Sequence, residues 1–147
     1  MTARIKFLIE SELDQVPLAG VSIRALCEYF RLPRGLSYQI ELCVVEILNN
    51  VIEYGYRMQK GHPIEIRCNF RDSSVRIAVV DQARPMESFD IPNIDFDPDD
   101  VESLPERGFG LYLVNEIMDE VRYESRDKSN RVVMRKSWDL AGDSERG

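Results

Sequence analysis

At 147 residues, with 44% hydrophobic and 31% charged residues, the chain is sized for one globular domain around a single core. A formal net charge of −7 opposes nucleic-acid backbones and anionic membranes, so no direct nucleic-acid or membrane partner is expected. No apolar stretch is long enough to span a bilayer and the N-terminus lacks a signal-peptide core, so the chain is expected to be cytoplasmic.

Ile5, Phe7 and Ile9 alternate with Lys6 and Glu10, which predicts a first strand. Pro17 fits the start of a helix, where its missing N–H is not needed, and Ile23, Leu26, Cys27 and Phe30 give that helix one buried stripe. Leu32-Pro33-Arg34-Gly35 breaks it. A second helix runs from about Ser37 to about Gly55, with Val44, Ile47, Leu48 and Val51 facing the core. Gly61-His62-Pro63 turns the chain into a half-buried strand carrying Ile64, Ile66, Cys68 and Phe70. Asp72-Ser73-Ser74 then turns it into Val75 to Val80, and these two strands should form a hairpin ending at Asp81.

Residues 83 to 106 show no period and carry four prolines (Pro85, Pro92, Pro98, Pro105) among many acids. So long a loop in a small domain points to function or disorder, or to a solvated surface loop. Leu111, Val114 and Met118 mark a third helix. Val121 to Ser125 and Arg131 to Lys136 form a second hairpin, turning at Lys128-Ser129-Asn130. Cys27, Cys43 and Cys68 lack C-x-x-C spacing and fall on apolar faces, so buried free thiols are expected. The resulting fold class is α+β, a two-layer sandwich with helices on one face of a mixed, mostly antiparallel sheet.

Three places in this order suit phosphate chemistry. Glu46, Asn50 and Tyr54 recur at i, i+4 and i+8 on one helix face, offset from the core stripe. An amide oxygen at Asn50 can ligate Mg²⁺ beside phosphate oxygens, and Glu46 one turn away can accept a proton. Taken alone, that spacing also describes an ordinary surface Glu and Asn. Asp81 at a strand end can accept a hydrogen bond from an exocyclic amine, or can simply begin a turn. Arg107-Gly108-Phe109-Gly110 leads into Leu111 and the third helix, where glycines and free helix N–H groups suit a phosphate.

Glu46 to Tyr56, Asp81-Gln82-Ala83 and Arg107 to Tyr123 resemble the N, G1 and G2 boxes of the histidine-kinase-like (GHKL) ATPase superfamily. More closely, the chain resembles the bacterial anti-sigma factor serine/threonine kinases of partner-switching systems, from the first strand to about Lys136. The resemblance implies a Bergerat-type ATP-binding domain over residues 1–138, followed by a polar tail over 139–147. It implies ATP and Mg²⁺ as cofactors, Glu46 as catalytic base and Asn50 as Mg²⁺ ligand. Nucleotide contacts would come from Asn50, Tyr54, Asp81, Ala83, Arg107, Gly108, Phe109, Gly110 and Leu111. The acidic segment between Ala83 and Glu106 would be the ATP lid. Implied partners are a STAS-domain anti-anti-sigma protein and a sigma factor or other output protein, with the chain as a homodimer. Two departures stand out: Ala83 replaces the usual Gly of D-x-G, and Tyr54 replaces a frequent His. Ala83 keeps open an alternative, a non-catalytic nucleotide-gated module that sequesters a protein partner.

Overall fold

The computed structural model describes residues 2–86 and 109–139. Strand β1 (Ala3–Glu10) is followed by a 3₁₀ turn (Leu13–Gln15) and helices α1 (Val16–Tyr29) and α2 (Leu36–Asn50). A π-helical turn (Val51–Gly55) extends α2, and β2 (Pro63–Arg71) and β3 (Ser74–Asp81) come next. Helix α3 (Phe109–Ile117), β4 (Glu120–Arg126) and β5 (Ser129–Ser137) complete the described chain.

The five strands form one sheet in the order β1-β2-β3-β5-β4. Every neighbouring pair is antiparallel, so the sheet expected to be mixed contains no parallel pair among the described residues. The reason is topological. The connection through α3 makes β4 run in the direction of β3, but β5 inserts between them and pairs antiparallel with both.

Alternation along the strands sends one set of side chains to the helices and the other to water. Two rungs of the covered face, Phe7–Ile66–Val79–Val132 and Ile5–Cys68–Ile77–Met134, are apolar across the sheet, and all but the edge residues Ile5 and Phe7 are fully buried. Burying each large side chain of this kind is worth about 1.5–3 kcal/mol. Phe30 of α1 stacks on Phe70 of β2 with ring centroids 4.4 Å apart, tying the helix layer to the sheet. Cys27, Cys43 and Cys68 are free and buried as expected, and burial pushes all three thiols up to about 12.

Three boundaries differ from the sequence reading. The second helix does not reach Gly55 as α-helix: after Asn50 the hydrogen bonding widens, Tyr56 N–H donating to Val51 O at 2.8 Å. The third helix ends at Ile117, leaving Met118 buried just beyond it. The last hairpin turns at Asp127-Lys128, both left-handed (φ 53° and 63°), and not at Lys128-Ser129-Asn130. Such a two-residue turn matches the twist of its strands. It frees Ser129 and Asn130 to be strand residues.

Candidate nucleotide site

Two glycines knit the three sequence motifs together. A Cβ built on Gly110, in the first turn of α3, would overlap the Glu46 carboxylate, with Cδ at 3.1 Å and Cβ at 3.4 Å. Glycine here leaves room for the Glu46 carboxylate, which lies against the N-terminal turn of α3. A Cβ built on Gly55 would lie 2.9 Å from the Ala83 methyl. Thus the π-turn closes on the segment that follows β3, and the methyl that departs from D-x-G is buried against Gly55. Ala83 is not among the residues at positive φ, so a Cβ there carries no backbone strain.

The rung next to the apolar ones turns polar. Ile9 and Ile64 begin it, but Asp81, Asn130 and Ser125 continue it across β3, β5 and β4. Asp81 is 5% exposed. Its Oδ1 accepts the Ala83 N–H at 2.8 Å and Asn130 Nδ2 at 2.8 Å. Burial pushes the Asp81 carboxyl above the usual carboxylate range, and the bonds from Asn130 and Ala83 offset part of that rise.

Tyr56 fixes the neighbouring backbone. Its hydroxyl donates to Pro63 O at 2.8 Å and accepts the Gln82 N–H at 2.8 Å, so one phenol spans the start of β2 and the exit of β3. Burial raises its pKa, since the phenolate would be poorly solvated there. Met86 N–H donates to Tyr123 Oη at 2.9 Å and anchors the chain a little further on. An open cleft of about 320 Å³ beside Gly55 and Ala83 is lined also by His62 and by Arg57 and Arg84, whose guanidinium groups set positive charge next to the site of an acidic chain.

Glu46 and Asn50 are half-buried near the end of α2, while Tyr54 in the π-turn is 41% exposed. Leu111 packs on the core. Phe109 begins α3, while Arg107, Gly108, the acidic stretch 87–106 and the tail 140–147 lie outside the described residues. Glu46 and Gly110 are brought together, as are Gly55, Ala83 and Asp81. The sequence reading gave Asn130, taken as a turn residue, and Tyr56 no part in the site. Asn130 had a signal: on β5 it shares the inward parity of Val132 and Met134, a polar residue where the pattern calls for an apolar one.

A family model described as the histidine kinase-like ATPase domain matches residues 9–136. The serine-protein kinase RsbW of Bacillus cereus (strain AH820) is 31% identical over 139 residues, 90% of this chain and 84% of that one. RsbW of Bacillus subtilis (strain 168) is 27% identical over 115 residues, 76% of this chain and 68% of that one. RsbW of Oceanobacillus iheyensis is 28% identical over 102 residues, so the match spans only 63% of that protein's length. The crystal structure of the RsbU and RsbW domains of Rv1364c from Mycobacterium tuberculosis superposes with a TM-score of 0.66 at 12% identity. That match covers 92% of this chain and 32% of the other, and it establishes the shared fold. The chain therefore belongs to the histidine kinase-like ATPase (GHKL) superfamily, in the family of bacterial anti-sigma factor serine/threonine kinases.

Proposed function

We propose that this protein is an Mg²⁺- and ATP-dependent serine/threonine protein kinase that acts as a partner-switching regulator. It phosphorylates a STAS-domain antagonist and sequesters a sigma factor or other output protein, as a homodimer. The observation that carries this reading is the close approach of the Glu46 carboxylate to Gly110. A candidate base sits where free N–H groups of a helix start can hold phosphate.

The residues present fit a nucleotide. The space at Gly110 is taken by the Glu46 carboxylate, Asp81 ends a covered strand as an acceptor, and Asn50 carries no hydrogen bond to another described side chain. When bound, Mg²⁺ would neutralise phosphate charge, with Asn50 as its protein ligand. Glu46 takes the proton of the attacking hydroxyl. Asp81 accepts from the base amine, and the α3 N-terminal turn orients the phosphates. The alternative of a non-catalytic sequestering module drew on Ala83. Its methyl faces Gly55 and the core, which favours the catalytic reading.

Asn50→Ala should weaken Mg²⁺-dependent ATP binding by about 10-fold and leave binding in EDTA unchanged. Equal affinity with and without the substitution in Mg²⁺ would count against the metal role. Gly110→Ala should push the Glu46 carboxylate aside. Helix propensity favours Ala by about 1 kcal/mol, so folding should hold while transfer falls about 100-fold. Melting temperature and transfer rate, measured together, separate this from simple unfolding.

The deciding experiment is mass spectrometry of a STAS-domain protein from the same genome after incubation with this protein and Mg-ATP. A single phosphoserine or phosphothreonine, absent with Glu46→Gln, supports the kinase. ATP binding with no transfer to any STAS candidate would favour the sequestering module.

A further inference from the structure

Asn130 has every hydrogen-bonding group of its amide engaged. Nδ2 donates to Asp81 Oδ1 at 2.8 Å and to Ala83 O at 2.7 Å, while Oδ1 accepts Ser125 Oγ at 2.8 Å. The reversed amide would set an oxygen against two acceptors, so these bonds fix its orientation. Asn130 is 2% exposed and cannot exchange them for water.

The consequence falls on Asp81. Its Oδ1 is occupied by two donors, from Ala83 and Asn130. No described residue donates to its Oδ2. Among the described residues, the one fully enclosed side-chain polar atom without a partner is Trp138 Nε1. Asp81 Oδ2 is therefore unpartnered yet not sealed, an acceptor left open at the end of the polar rung.

We propose that Asn130 is a positioning residue that sets base selectivity, holding Asp81 so that a 6-amino purine is accepted and a 6-oxo purine is rejected. This rests on the ATP reading given above. A 6-amino group donates to Oδ2, whereas a 6-oxo group would set two acceptors face to face. Without Asn130, the Asp81 carboxylate loses one of the two bonds that stop its rotation. Ala83 loses the clamp on its carbonyl at the same time, and the rejection of the oxo group weakens.

The test is calorimetric titration of the full chain with Mg-ATP and with Mg-ITP. The proteins compared are the wild type, Asn130→Ala, Asn130→Thr and Ser125→Ala. The wild type should prefer ATP by about 30-fold or more, and Asn130→Ala should cut that ratio by about 10-fold. Asn130→Thr keeps one hydroxyl donor for Asp81 and should recover part of the ratio. Ser125→Ala, which frees the Asn130 amide without removing it, should lower the ratio about 3-fold. It also serves if Asn130→Ala does not fold. A wild-type ratio in a folded Asn130→Ala, or failing that in Ser125→Ala, overturns the role of Asn130 and leaves ATP binding intact. A wild type that binds neither nucleotide overturns the ATP reading, and this inference with it.

Discussion

Glu46→Gln is expected to bind ATP within about 3-fold of the wild type and to lose transfer by about 10²- to 10⁴-fold. The two side chains have nearly the same volume, and the space Gly110 leaves beside the carboxylate accepts an amide equally well. What changes is basicity: an amide cannot take the proton of a serine or threonine hydroxyl. Because the substitution spares the groups assigned to the nucleotide, affinity and rate should separate cleanly. Calorimetry gives the first and phosphate incorporation the second. Wild-type transfer by the variant would remove Glu46 from the mechanism, while a matching loss of ATP affinity would recast it as a binding residue.

Asp81→Asn should act in the opposite sense on fold and function. The Ala83 N–H and Asn130 Nδ2 both require an acceptor at Oδ1, so the new amide must turn its NH₂ toward the open side. A donor then meets the donor of the purine, and ATP affinity should fall about 100-fold. Stability should hold or rise at neutral pH. Burial raises the Asp81 carboxyl, so the folded chain holds its proton to higher pH than the unfolded chain does. That contribution is fully present below the unfolded carboxylate value, near 4, and is lost as pH rises through the raised folded value. Removing the ionisation removes the loss. Melting temperatures from pH 4 to 7 should show the variant gaining on the wild type as pH rises. A variant that falls behind with rising pH would mean that the carboxylate is stabilising in its charged form.

The element order and the three motifs were legible in the chain because each rests on local signals: period-2 runs, an apolar helical stripe, and glycines at a helix start. The polar rung was not. Asp81 and Asn130 meet because β5 inserts between β3 and β4, a non-local pairing that no short window carries. Asn130 was also read as a turn residue, for asparagine favours turns. The true turn uses Asp127 and Lys128 at positive φ, where a lysine gives little hint. The π-turn was missed because a widened helical turn keeps the composition of an ordinary one. Its effect is to bring Gly55 onto Ala83 and the Tyr56 hydroxyl onto Gln82.

The placement of β1 at the sheet edge bears on how the molecule assembles. Among the described residues its one partner is β2, with Glu10 opposite Pro63 and Ala3 opposite Phe70, so both helices intervene in the chain before this ladder can form. Closing so long a loop is entropically costly until α1 and α2 have folded against each other and shortened it. The hairpin of β2 and β3, by contrast, closes over Asp72 and Ser73 alone. Folding should therefore begin within the helix pair and this hairpin, and β1 should dock late, with its backbone open to other partners in the interval.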